Sequence, residues 1–393
     1  MKLKISIAAV MFAIVSILFL LPEPTPPAPS GKATVGVTQF ELQNEERWIQ
    51  VSTWYPVSQY DPEKVFAYRP SWVGKALAEQ QNLPEALMGE MLHSYSHLDA
   101  EVMNGKHPVI IFNHGYATYP RLYMSMFEQL ASEGFIVMAI GHPGDSLIIR
   151  NAAGEFFPHS EAAKLPAINA DLINQLHSVS RTMAAQTDRQ KWHQSMTDYK
   201  SSPLMAPGLT RYPHWIANNL LLLDSLAAIE TGGIPGPLRG HLDLENIGTL
   251  GHSFGGAVAV NLALSQSQIK AGLNLDGPQI NFSPQQTIDK PLCFFYGDQT
   301  EITYAAFPWL NDALWEEASV TKCSVTFEGA GHNNFSDLTY NPYVKYMGLT
   351  GNGDGNELGN QINQGIVAFF NQQLRQQHAW PPQGALMKIS QTN

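Results

Sequence analysis

Two stretches of the chain, Pro108–Asn113 (PVIIFN) and Phe135–Ile140 (FIVMAI), are apolar almost without a break. That is the pattern of strands buried on both faces of a sheet. Ile247–Leu250, Ala271–Leu275, Leu292–Tyr296 and Cys323–Phe327 read as four shorter strands. Nearer the start, Val35–Leu42 and Trp48–Tyr55 read as two more, joined by a turn at Gln43–Glu46. Helical patterns lie between them. Arg121–Glu133 is one, closed by Gly134 as a C-cap. Pro213–Glu230 is long and amphipathic, and Gly256–Leu264 and Gln361–Gln376 follow. Strands that alternate with helices predict an α/β fold, here a mainly parallel eight-stranded sheet with helices on both faces. No internal repeat interrupts the pattern.

Three regions depart from it. Residues 146–211 are polar, with scattered His and Met, and fit no strand. They read as a helical insertion over the top of the sheet, either a lid or a passive excursion. Residues 379–393 read as a loose tail. At the other end, Lys2 and Lys4 precede an uncharged apolar run from Ile5 to Leu21, and Pro22–Lys32 reads as a polyproline linker. Basic flank, apolar run and prolines describe an export signal, cleaved near Ser30 or retained as a membrane anchor. The expected organisation is a targeting segment over 1–30, a catalytic-sized domain over 31–378 and the tail.

Composition narrows the function classes. Hydrophobic residues make up 44% and charged residues 15%, which excludes a disordered chain. The net charge of −11, without a basic cluster, argues against a nucleic-acid partner. Cys293 and Cys323 are the only cysteines, too few for a disulfide framework or a four-ligand zinc site. Export would permit a bond between them, but each lies in a predicted core strand, where a lone buried thiol is the ordinary expectation. His159, His177, His193 and His214 lack metal-ligand spacing. The run Gly351–Glu357 resembles a calcium loop only faintly and reads as a surface loop. Trp309 and Trp315 follow the Leu292–Tyr296 strand and read as packing residues rather than walls of an acyl pocket.

The candidate chemistry centres on Gly251-His252-Ser253-Phe254-Gly255, a GxSxG between a short strand and a small-residue helix. That context is a nucleophile elbow: glycines on both sides let chain segments pass close while the Ser hydroxyl projects at a helix N-terminus. A serine hydroxyl needs a base. His332, in a Gly-rich loop after the last predicted strand, supplies one. A third group must orient the imidazole, and two acids qualify. Asp276 follows the Ala271–Leu275 strand and Asp298 follows the Leu292–Tyr296 strand. Residue patterns alone leave both open. An oxyanion hole requires two backbone donors, expected from Phe254 and from Tyr116 in the Asn113-His114-Gly115-Tyr116 loop. His114 reads as structural. Such chemistry uses no cofactor and no metal.

These residues resemble the plasma and type II intracellular platelet-activating factor acetylhydrolases of the α/β-hydrolase superfamily. The likeness runs through Trp54-Tyr55-Pro56, Phe112–Gly115, Leu130–Val137, the Gly251–Ala257 elbow, Leu275-Asp276 and Gly331–Asp337. It implies an α/β-hydrolase fold and a serine esterase that acts on short-acyl or lipid-type esters without calcium. It also implies Ser253, Asp276 and His332 as the triad, preferring Asp276 over Asp298. The Gly297-Asp298 pair is more like polyester and dienelactone hydrolases, which place the acid one strand later. An acyltransferase using the same serine, and a non-catalytic scaffold, are the competing readings.

Overall fold

The structure is a computed structural model, and it describes residues 26–392 apart from 82–92, 165–170, 173, 176–177, 180–181, 183–188, 204, 280, 282–287, 300–306, 313–314 and 316–317. The apolar run Ile5–Leu21 and His177 lie outside the described residues, as do the side chains of His193 and Trp309.

Strands β1 (Thr34–Gln43) and β2 (Trp48–Gln59) form the expected antiparallel hairpin. Its turn is set by Asn44, whose Oδ1 accepts from the amides of Glu46 and Arg47. Short strands β3 (Ser96–Leu98) and β4 (Glu101–Val102) pair with it. The buried runs become β5 (His107–Asn113) and β6 (Ile136–Gly141). A separate hairpin joins β7 (Ile148–Arg150) and β8 (Phe156–Pro158). Strands β9 (Leu242–His252), β10 (Ile269–Leu275), β11 (Leu292–Gly297), β12 (Lys322–Phe327) and β13 (Met387–Thr392) complete the series. The main sheet has eleven strands in the order β13-β12-β11-β10-β9-β5-β6-β2-β1-β3, with β4 beside β2. From β6 to β12 the pairing is parallel throughout.

Four helices cover it: α1 (Met124–Ser132), α2 (Ala206–Thr231), α3 (Phe254–Ser265) and α4 (Gly355–Arg375). Side chains alternate along each strand, so β5 sends Val109 and Ile111 to one face and Ile110 and Phe112 to the other. The first pair packs with Trp215, Leu222 and Leu226 of α2 and Val258 of α3. The second packs with Phe127 and Leu130 of α1 and Ile366 and Phe370 of α4. The α/β fold with helices on both faces is therefore as expected, and the sheet is three strands larger than eight.

Those three are β3, β4 and β13, and the separate β7–β8 hairpin is a further departure. The tail is not loose throughout, because β13 pairs antiparallel with β12 from Met387 to Thr392. The insertion is not wholly helical, because β7 and β8 lie inside it. Helix α2 begins at Ala206, ahead of the expected Pro213, which sits inside the helix. The proline-rich linker is held from Ser30 onward. Ser30 N–H donates to Gln129 Oε1 (2.9 Å) and Ala33 N–H to Ser132 O (3.0 Å), both on α1. The Gly351–Glu357 run is not a passive loop. Asp354 caps α4 by accepting from Glu357 N–H at 2.9 Å, and Gly351 lies against Gly329 and Gly331.

The cysteines correct a further expectation. Cys293 and Cys323 form a disulfide with Cα atoms 4.7 Å apart. They face one another on β11 and β12, whose register pairs Phe294 with Ser324 one step further on. Each thiol is buried, as read, but the other is its neighbour. Among the described residues, no helix is long and apolar enough to cross a membrane.

Candidate active site

The parallel strands all end on one edge of the sheet, where α/β proteins build their sites. Ser253 follows β9, Asp276 follows β10, Asp298 follows β11, and the loop carrying His332 follows β12. The Asn113–Tyr116 loop leaves β5 beside β9. Adjacent strands thus bring together residues far apart in the chain.

Ser253 caps α3 with φ 56° and ψ −122°, a conformation that L-residues avoid. Asp276 (φ 50°) and Ala117 (φ 57°) also have positive φ, so three of the five such non-glycine residues among the described residues cluster here. The elbow needs its glycines for space. A Cβ on Gly255 would strike the carbonyls of Asn113 and His114, and one on Gly251 would strike the Gly255 carbonyl. Helix α3 can approach β5 and β9 only because both are absent. Ser253 N–H donates to Leu275 O at 2.8 Å, which fixes the elbow to the end of β10.

His332 opens a short 3₁₀ turn, and its Nδ1 bonds Asp276 Oδ2 at 2.7 Å. Asp276 is 1% exposed and His332 8%, so the pair is shielded from water. Asp298 does not reach the imidazole. Its Oδ1 accepts from Gly329 N–H at 2.7 Å and holds the loop that leads to His332.

The Asn113–Tyr116 loop lies beside the elbow: a methyl at Gly115 would sit 3.6 Å from Ser253 Cβ. Gly115 O accepts from Thr118 Oγ1 (2.8 Å) and from His114 Nδ1 (2.7 Å). His114 Nε2 faces Ser146 Oγ at 2.7 Å. Burial lowers the His114 pKa to about 4, so it remains neutral, consistent with a structural role. The Tyr116 ring packs against Trp215 and Phe254, and its hydroxyl donates to Ala163 O at 2.7 Å. Phe254, after the serine, meets Trp215 edge-on at 5.0 Å. Trp315 packs on Phe294. His159 faces the Asp145 carbonyl, and His214 is exposed.

Several residues at the site carried no functional reading from the sequence. His252, the variable position of GxSxG, is buried and links two loops: Nδ1 meets Tyr123 OH at 2.9 Å and Nε2 meets the His332 carbonyl at 3.0 Å. Its signal was its place inside the motif. Trp215 and Arg211 converge on Asp145, and only the tertiary fold reveals that pairing.

A sequence model of the family described as platelet-activating factor acetylhydrolase, isoform II, matches residues 22–165 and 235–393. The chain belongs to this family. The gap between the matched segments covers most of the insertion and all of α2. Curated relatives named platelet-activating factor acetylhydrolase include that of Gallus gallus, 22% identical over 68% of this chain and 62% of its own. That of Canis lupus familiaris is 23% identical over 88% and 77%. The chain thus spans about three-fifths of the Gallus gallus relative's length. Among solved structures, a ferulic acid esterase from Streptomyces cinnamoneus shares the fold with a TM-score of 0.68, at 18% identity over 93% of this chain and 98% of its own.

Proposed function

We propose that this chain is a serine carboxylic-ester hydrolase acting on short-acyl or lipid-type esters. The observation that carries the reading is the 2.7 Å Asp276–His332 bond beside a serine held at φ 56° on a strand–helix elbow. The acetyl group in the relatives' names supports a short acyl chain.

In this reading Ser253 Oγ attacks the ester carbonyl and passes its proton to His332 Nε2. Asp276 keeps the other ring nitrogen protonated and stabilises the imidazolium. The amides of Tyr116 and Phe254 donate to the developing oxyanion, and the helix N-terminus favours that charge. His332 then protonates the leaving alcohol, and water attacks the acyl-serine by the same route. No step calls for a metal.

The test is hydrolysis of nitrophenyl esters from acetyl to palmitoyl by the wild type, Ser253→Ala, Asp276→Asn and Asp298→Asn. Loss of a triad member should lower turnover by about 10⁴-fold. The expected result is activity biased to short chains, abolished in Ser253→Ala and collapsed in Asp276→Asn but not in Asp298→Asn. Collapse in Asp298→Asn instead moves the acid to the end of β11. Dominant transfer to an added alcohol would make the chain an acyltransferase.

We also infer that the chain is exported. The Lys-flanked apolar run and the Cys293–Cys323 bond support this, because structural disulfides persist in oxidising compartments. Fractionation of cells making the full chain, with thiol alkylation, should find it outside the cytoplasm with both cysteines protected. A cytoplasmic chain with reactive thiols overturns the inference.

A further inference from the structure

His252 bonds the His332 loop directly and the oxyanion loop through Tyr123, and it sits on the backbone that carries the nucleophile. Burial drives its pKa well below the usual range, so the ring is neutral, with one donor and one acceptor nitrogen. The His332 carbonyl can only accept, so Nε2 carries the proton and donates to it (3.0 Å). Nδ1 must then accept from Tyr123 OH (2.9 Å). With its proton spent, the Tyr123 oxygen accepts from Gly115 N–H at 3.0 Å. The bonds therefore run in one direction, from Gly115 through Tyr123 and His252 to His332.

Both ends of that chain matter for geometry. At one end, Gly115 is held on both sides: its N–H by Tyr123 and its carbonyl by His114 and Thr118. A trans peptide is planar, so pinning the Gly115 carbonyl aims the Tyr116 N–H in the opposite direction. At the other end, the bond to the His332 carbonyl fixes the backbone from which the imidazole projects. The two rings lie 4.6 Å apart, so the contact also limits ring tilt.

We propose that His252 and Tyr123 are positioning residues that lock the oxyanion loop and the His332 loop to a common frame. This rests on the serine-hydrolase reading above. Neither residue touches the reacting atoms. They act by holding the Tyr116 amide and the His332 ring at fixed places relative to Ser253, so that transition-state contacts form without rearrangement.

The experiment compares wild type, Tyr123→Phe, His252→Leu, His252→Gln and the Tyr123→Phe/His252→Leu pair on the best nitrophenyl ester, below each variant's Tm. Tyr123→Phe changes one atom and keeps the packing, so it guards against failure to fold. The expected result is a fall of about 10- to 100-fold in kcat in Tyr123→Phe and His252→Leu, with KM within about twofold of wild type, because misplacement by about 1 Å carries that cost. The pair should be no slower than the slower single variant, since both break one bridge. His252→Gln retains a donor and an acceptor and should recover part of the rate. Unchanged kcat in folded variants, a change confined to KM, or losses that multiply in the pair would overturn the proposal while leaving the hydrolase reading intact. An inert wild type, or a fully active Ser253→Ala, would instead remove the hydrolase reading and this proposal with it.

Discussion

Asp337, five residues beyond His332, buries its carboxyl at the start of α1. Oδ2 accepts from Ser125 N–H (3.1 Å) and Tyr68 OH (2.9 Å), and Oδ1 accepts from Ser125 Oγ. The side chain thus ties the segment after His332 to α1, within the same layer of the core. Burial outweighs these donors and pushes its pKa up to about 7. Glu128, one turn along α1, is likewise raised by burial to about 7. The direction of linkage follows. Between about pH 4 and 7 the folded chain holds a proton on Asp337 that the unfolded chain has lost. Its contribution to stability is full below that window and fades as pH rises through it. Asp337→Asn mimics the protonated form and lacks this dependence. The Tm advantage of wild type over Asp337→Asn should therefore shrink as pH rises from 4 to 7 and level off above. An advantage that grew across that window would mean the donors keep the carboxylate ionised.

At the scale of elements, the legible parts were those where local pattern and tertiary role coincide. The runs PVIIFN and FIVMAI became β5 and β6 because both faces of those strands are buried, and a buried strand has no polar positions to blur its pattern. GxSxG was legible for a different reason: close approach of α3 to two strands leaves no choice but glycine. What stayed hidden depended on partners distant in the chain. Strand β13 has charged and polar residues that suit an edge, and nothing in MKISQT announces that β12 is its neighbour. The disulfide was misread for the same cause. Two cysteines 30 residues apart look like separate buried thiols until β11 and β12 are known to be adjacent. A loop of that length makes the bond worth about 3–4 kcal/mol through the entropy of the unfolded chain. The staple joins the strands whose ends carry Asp298 and the His332 loop. Which acid meets His332 was equally beyond local pattern, since both follow strands and only the three-dimensional path of the His332 loop brings its Nδ1 to Asp276.

Across the whole molecule, a buried carboxylate is one of the ties that hold the insertion, and the helix α2 that continues it, to the sheet. Asp145, in the turn after β6, is 1% exposed. Arg211 of α2 grips it with two bonds, Nε to Oδ1 at 2.7 Å and Nη2 to Oδ2 at 3.2 Å, and Trp215 Nε1 adds a third at 3.1 Å. One turn further along α2, Asn218 bonds His142 and Asn219 bonds Asn113, so the helix reaches the strand end that opens the candidate oxyanion loop. Residues 166–234 fall outside the family match, yet α2 supplies the wall behind Tyr116 and Phe254. Helix α2 is thereby held against the strand end and the aromatic rings beside Ser253. The Arg211–Asp145 pair also carries a distinctive energetic signature. A buried ion pair is costly to break from one side, because the remaining charge has lost its partner without regaining water. Arg211→Leu should therefore destabilise the chain by about 3 kcal/mol in urea unfolding, somewhat relieved by the Trp215 bond that Asp145 retains. Adding Asp145→Asn removes the stranded charge and keeps an acceptor for Trp215. The double variant should consequently be more stable than Arg211→Leu alone, although it carries two changes. If the double variant is instead the weaker of the two, Asp145 is not stranded when Arg211 is lost, and the insertion is anchored by its apolar packing and asparagine bonds alone.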